Sequence, residues 1–175
     1  MADGIRQERE LLAPLRERAD LVVDTTDLAI GDLKHLLQGQ FRIEAAPAAA
    51  ITVMSFSYRN GLPREADLVF DVRFLANPHY RDELRPLTGE DGPVAQFIEA
   101  DPAWNPFFAA LGHLLLPLLP RFEREGKSYL TLAVGCTGGR HRSVFAAECL
   151  AQWLRAQGRH VSLRHRDLDR GAGED

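Results

Sequence analysis

A chain of 175 residues, 45% hydrophobic and 26% charged, has the size and composition of a soluble globular protein: one domain with room for an appendage. Its longest apolar stretch, residues 107–119, is too short for a membrane span and is interrupted by Gly112, His113 and Pro117, while the N-terminus MADGIRQERELL lacks the apolar centre of a secretory signal. Two cysteines, Cys136 and Cys149, are too few for a disulfide framework, so the expected compartment is the cytoplasm and no membrane partner is expected.

The net charge of −4 is unevenly spread. Between residues 136 and 166 six arginines (140, 142, 155, 159, 164 and 166) face one acid, Glu148, leaving that segment at +5 and the rest at −9. His141, His160 and His165 add to it at lower pH. An acidic body with one basic segment fits a local anion partner, or a solvated arginine-rich surface; it does not fit a coat for nucleic acid over the whole molecule.

In chain order, residues 5–19 read as a helix with Leu11, Leu12 and Leu15 on one face, and Pro14 marks a start or kink in it. LVVD at 21–24 reads as a short strand, Thr25-Thr26-Asp27 as caps, and 30–37 as a second helix. The Ala/Pro-rich stretch AAPAAA marks a boundary. We therefore expect residues 1–44 to be one part and 45–175 another.

The second part opens with a strand at 51–58, a turn at RNGLP and a strand at 68–73. FLANPHY and TGEDGP follow as loops. A helix from about Pro106 carries Phe107, Phe108, Leu111, Leu114, Leu115 and Leu118 at helical spacing, with Pro117 and Pro120 expected to kink or end it. His35 and His113, on helices, read as packing or surface residues. A strand at 129–134, a glycine-rich loop, a helix at 143–156 and a last strand at 161–164 complete the chain. Strands alternating with helices imply an α/β fold: a mainly parallel sheet, or a mixed one, flanked by helices, with a ligand crevice at the carboxyl ends of the strands. If the strands at 68–73 and 129–134 are neighbours, Asp71, Arg73, Asn77 and His79 face the same crevice as residues 136–142.

The loop GCTGGRHRS carries the chemistry. Gly138-Gly139 allows close backbone approach, the helix start offers free N–H groups and partial positive charge, Arg142 offers a bidentate clamp, and Thr137 and Ser143 offer hydroxyls. Arg140 and His141 would be costly additions to a plain turn. The expected guest is a phosphate, sulfate or carboxylate. The loop is not a Walker A sequence, which the chain lacks.

Three rival readings attach to the same residues. Cys136-x5-Arg142-Ser143 matches the signature of the protein tyrosine phosphatases, with Asp101 as the candidate general acid; Gly135, where those enzymes carry histidine, opposes it. A metal site from Asp71, His79, Cys136 and His141 has no tight ligand motif behind it, and no metal is expected. A pure RNA-binding module is the third.

Longer motifs carry a family resemblance. GCTGGRHRS, ADLVFDVRFLANPHY, RPLTGEDGPVAQFI and SLRHRDL resemble the C-terminal domain of the RapZ family of RNase adapter proteins, which includes YvcJ-type nucleotide-binding proteins. ELLAPLRERADLVVDTTDL looks like the tail of that family's N-terminal P-loop domain, the rest of which is absent from this chain. The resemblance implies a non-catalytic domain that senses an amino-sugar phosphate, glucosamine-6-phosphate, binds small regulatory RNA, guides an endoribonuclease and self-associates into a homo-oligomer. ATP or GTP would belong to the absent domain, so no cofactor is expected in this chain. Carried over onto matching positions, the ligand set is Asp71, Arg73 and His79 with Thr137, Gly138, His141 and Arg142; Gly139 and Ser143 join it from the loop's own chemistry. RNA phosphate contacts would fall to Arg59, Arg159, Arg164, Arg166 and Arg170, opposed by Asp167, Asp169, Glu174 and Asp175, and no aromatic RNA-stacking motif is present.

Overall fold

The structure, a computed structural model, describes residues 2–19, 22–23, 25–26, 33 and 49–168. The chain divides into two compact units, residues 1–44 and 45–175. In the first, α1 (Ala2–Arg18) contains Pro14 without starting at it, and Leu11, Leu12 and Leu15 are exposed. The strand read at 21–24 and the helix read at 30–37 lie largely outside the described residues.

The second unit is built on four strands: β1 (Ala50–Ser57), β2 (Leu68–Asp71), β3 (Tyr129–Cys136) and β4 (Val161–His165). Their order across the sheet is β2-β3-β1-β4, and every pairing is parallel, so the mixed alternative falls away. The central pair explains why its sequences read as nearly continuous apolar runs. AITVMSFS and YLTLAVGC are buried on both faces, as interior strands of parallel sheets are. In register, Ile51 sits beside Leu130 and Val53 beside Leu132. These side chains share one core with residues from three helices, α2 (Gly92–Glu99), α3 (Trp104–Arg124) and α4 (Arg142–Ala156).

Two expectations need correction. Pro117 and Pro120 do not end α3, which runs to Arg124. A proline deprives the carbonyl four residues earlier of its partner; those carbonyls belong to His113 and Leu116, which are not buried, so water can take them. The buried stripe, Leu111, Leu115 and Leu119, lies on the other side. The second correction is α2, which begins inside the segment read as a loop, with Pro93 in its first turn. Only Val94 and Ile98 of α2 are buried, one helical turn apart. Among the described residues no helix is long and apolar enough to cross a membrane.

Candidate functional site

Because all strands run the same way, the carboxyl ends of β1, β2 and β3 open on one edge of the sheet. β2 pairs with β3 up to Asp71 opposite Gly135, so the segments that follow the two strands emerge side by side. They enclose a crevice of about 650 Å³ whose wall includes His79, Asp82, Arg85, Thr137, Gly138 and Arg142.

Arg142 is the pivot of this crevice. It opens α4 yet is only 5% exposed. Its Nη1 donates to the backbone carbonyls of Arg73 (2.8 Å) and Leu75 (3.0 Å), the residues that leave β2. Its Nη2 lies 3.5 Å from Thr137 Oγ1, and Nε has no hydrogen-bond partner. Among the described residues no carboxylate pairs with it at salt-bridge distance. A buried guanidinium without a counter-charge is costly unless an anion completes it.

The loop floor is equally constrained. Cys136 is buried; its Sγ receives the Gly139 N–H at 3.3 Å and stands 3.1 Å from Ser143 Oγ. Gly139 has φ +70°, and a Cβ there would press on Ser57 and Asp167. At Gly135 a Cβ would overlap the Phe56 and Tyr58 rings, which gives the departure from the phosphatase pattern a physical cause: a histidine does not fit. Ser57, ending β1, donates its hydroxyl to the Thr137 carbonyl at 2.7 Å and fixes the loop's entry. Asp167, 2% exposed, accepts the Ser57 N–H (2.8 Å), an Asn60 side-chain N–H (3.1 Å) and the Arg166 guanidinium. Burial pushes the Asp167 carboxyl up, but these donors outweigh it and hold it below the usual carboxylate range.

His141 is buried, with Nε2 3.2 Å from the Leu84 carbonyl and its ring 6.4 Å from that of His79. Burial pushes its pKa below the ordinary imidazole value, against the pull of the Leu84 and Arg85 carbonyls. In the fold the ring is therefore neutral near pH 7. An imidazole whose pKa drops on folding costs stability as pH falls from its unfolded value of about 6.5 toward the lower folded one. His141→Gln is expected to flatten that part of the pH profile, by at most about 1.4 kcal/mol per pH unit. Denaturant unfolding of both proteins between pH 4.5 and 7 checks this, and parallel profiles would contradict it.

Of the residues expected at the site, Thr137, Gly138, His141, Arg142 and His79 line the crevice, while Gly139 and Ser143 hold the floor beneath it. Asp71 and Arg73 stand beside it and are occupied with each other. Arg73 Nε and Nη2 donate to the Asp71 carboxylate at 2.6–3.0 Å, and this guanidinium holds the Asp71 carboxyl below its usual range. Arg73 also stacks on the Tyr58 ring, 3.9 Å from its centre. Arg59, expected among the RNA contacts, lines the crevice. Arg159 is paired with Glu123 at 2.6 Å, and Arg166 is engaged by Asp167 and the Ser57 and Gly61 carbonyls. Arg164 is exposed, and Arg170 lies outside the described residues. Arg140, expected in the crevice with residues 136–142, lines it, whereas sequence reasoning missed Asp82 and Arg85, an ion pair at 2.7 Å, and Tyr80 as crevice residues. Nothing periodic marks them; position after a strand end was the one available signal.

Two further readings can be judged on geometry. Asp101 accepts the Ala76 N–H (2.7 Å) and the Ala103 N–H (2.9 Å), which hold its carboxyl below the usual range, so it stays ionised and is unsuited to donate a proton. Asp71, His79, Cys136 and His141 do not converge as a ligand set among the described residues. Cys149 is a largely buried thiol pushed up to about 11 by burial and by the nearby Glu99 and Glu148, and takes no part in the site.

Known proteins match the sequence of this chain along almost its whole length. The family profile for the RapZ C-terminal domain matches residues 49–169, and that for the RapZ-like N-terminal domain matches residues 1–45. A nucleotide-binding protein of Paramagnetospirillum magneticum is 62% identical over 97% of this chain and 55% of its own length. One from Rhodospirillum centenum is 61% identical over 96% of this chain and 51% of its own, and one from Rhodospirillum rubrum 55% identical over 96% and 53%. The chain thus spans about half the length of these relatives. On the profile match alone, which covers both units and every residue of the crevice, the chain belongs to the RapZ family.

Proposed function

We propose that the second unit is a non-catalytic sensor domain that binds a phosphorylated amino sugar, glucosamine-6-phosphate, in the crevice at the strand ends. The observation that carries this reading is Arg142: buried, without a carboxylate partner among the described residues, and with an orphan Nε. A phosphate in the cradle would supply the missing counter-charge and accept N–H groups from Gly138 and the start of α4. Asp82, strongly exposed and on the crevice wall, would receive the sugar ammonium in place of its ion pair with Arg85. Isothermal titration with glucosamine-6-phosphate tests the reading, and Cys136→Ser should alter affinity little. No heat and no thermal shift at millimolar ligand would overturn it.

The adapter role, with small regulatory RNA and an endoribonuclease as partners and a homo-oligomer as the acting form, is proposed on the family's character. On this chain it rests on Arg164, with Arg59 nearer the sugar-phosphate site. Arg164→Glu is expected to weaken salt-sensitive retention of structured RNA; unchanged retention would remove that surface from the reading. The relatives are named nucleotide-binding proteins. This chain contains no Walker A sequence, and we assign no nucleotide hydrolysis to it.

The Gly139 N–H on Cys136 Sγ, at the floor of the anion loop, favours a second reading, a cysteine phosphatase with Cys136 as nucleophile. It predicts turnover of an aryl phosphate that Cys136→Ser eliminates. The ionised Asp101 weighs against it.

A further inference from the structure

Away from the crevice, side chains from three separate segments converge on one point. His165, the last residue of β4, holds Nε2 3.3 Å from Glu148 Oε1 on α4 and 3.7 Å from Glu90 Oε1 in the turn before α2. The three donor atoms all lie within 4.8 Å of one another. His165 is 13% exposed, Glu148 28% and Glu90 51%, so the cluster is sealed on the sheet side and open on the side of Glu90. The other ring nitrogen, Nδ1, is 2.8 Å from the hydroxyl of Ser55, which is fully buried in β1. That contact comes from the strand interior and fixes the ring plane with Nε2 toward the carboxylates. Ser55, His165 and Glu148 follow one another like a proton relay, but the Ser55 hydroxyl is sealed from any substrate.

Counting donors and charges shows what the cluster lacks. Nε2 carries at most one proton, aimed at one acceptor, yet two carboxylates face it. Even an imidazolium leaves the second carboxylate without an N–H. A divalent cation balances both carboxylates and takes all three donor atoms. Around a tetrahedral ion with bonds of about 2.0–2.1 Å, neighbouring donors stand about 3.3–3.4 Å apart. The His165–Glu148 pair already has that spacing at 3.3 Å, the His165–Glu90 pair stands at 3.7 Å, and the two carboxylates lie within 4.8 Å of each other. An imidazole alongside two carboxylates suits zinc-like ions better than calcium or magnesium, which prefer all-oxygen shells. A metal-binding histidine also characteristically has its second nitrogen held by a hydrogen bond, the role Ser55 fills.

We propose that Glu90, Glu148 and His165 bind a divalent transition-metal ion of the zinc class, with a fourth position open to solvent. Its effect would reach the crevice through the turn that carries Glu90. Gly89 N–H donates to the Arg140 carbonyl at 2.9 Å, and the Arg140 guanidinium returns bonds to the Leu87 carbonyl at 2.9 Å and the Pro86 carbonyl at 2.6 Å. The bound ion pins that turn to α4 and β4, and with it Arg140 and His141 at the crevice rim.

The test is zinc titration of the metal-free full chain by calorimetry, with thermal unfolding followed in parallel. One zinc per chain and a raised Tm are expected. Glu148→Gln should weaken binding by about a hundredfold and Glu90→Gln by about tenfold. The Glu90 change is on an exposed side chain and serves if Glu148→Gln does not melt cooperatively. X-ray absorption of the zinc-loaded protein should show only nitrogen and oxygen neighbours at about 2.0 Å. Absence of saturable zinc binding, undiminished binding in both variants, or sulfur in the shell from Cys136 or Cys149 would each overturn the proposal. Arg142→Ala should leave zinc affinity intact, so this site and the anion site stand or fall separately.

Discussion

Arg142→Ala is expected to abolish glucosamine-6-phosphate binding, with a loss of about 3 kcal/mol or more, over a hundredfold in Kd. The reason lies in what the side chain joins. Nη1 ties the carbonyls of Arg73 and Leu75 to the start of α4, Nη2 reaches only Thr137 Oγ1 at 3.5 Å, and Nε has no partner, which leaves donors for an anion. Alanine removes the clamp and strands two carbonyls, each worth about 1–3 kcal/mol if left unpaired. Folding should suffer less than that sum, because the variant no longer buries a guanidinium without a counter-charge. Affinity and stability therefore separate: binding collapses while a cooperative melt survives at a lower Tm. Arg142→Lys keeps the charge but not the fork, and intermediate affinity is expected. Calorimetry with the sugar phosphate and a melt of each variant check the pair; wild-type affinity in Arg142→Ala would place the anion elsewhere.

Asp167→Ala should produce the largest loss of stability, about 3–5 kcal/mol. Its carboxylate is buried and holds the Ser57 N–H, the Asn60 amide and the Arg166 guanidinium together, and alanine leaves a charge and a backbone donor without it. Ser57 in turn grips the Thr137 carbonyl, so anion affinity should fall as well, through the misplaced loop. Asp167→Asn, which keeps the shape, should cost less. The pH dependence has a definite sign. With the folded carboxyl below its unfolded value of about 3.9, its contribution is complete above that pH and is lost as pH falls through the folded value. The acid limb of the wild-type stability profile should thus be steeper than that of Asp167→Asn. Urea unfolding from pH 2.5 to 7 measures both effects, and a loss below about 1 kcal/mol for the alanine variant would contradict the assigned role.

The interior of the sheet was legible in the sequence because parallel strands covered on both faces must be apolar throughout. AITVMSFS and YLTLAVGC could be read as little else. The crevice required β2 and β3 to be neighbours, and their pairing meets that condition. What escaped reading was short or compensated. Eight residues with two buried positions give α2 too little periodicity to see, and solvent on one side of α3 relieves the usual penalty of prolines such as Pro117 and Pro120.

At the site, the loop announced itself through glycines, a helix start and clustered cations. The opposite wall did not. Asp82 and Arg85 come from an irregular segment after β2, where spacing carries no message. Asp167 misled for a different reason. In sequence it is one acid among several near an acidic end, and only the fold buries it against Ser57 and Gly139. Arg159 and Arg166 looked like free cations for the same reason, before their partners Glu123 and Asp167 were brought to them.

Whether Arg142 and the 136–143 loop form a receptor for a phosphorylated sugar is decided most directly by calorimetry. Glucosamine-6-phosphate is titrated into the full chain, with glucosamine and inorganic phosphate as separate controls. Saturable binding of about one ligand per chain is predicted, with weaker binding of phosphate alone and no binding of glucosamine alone. Absence of heat and of any thermal shift at millimolar ligand, or equal binding of the sugar phosphate by Arg142→Ala, would contradict it.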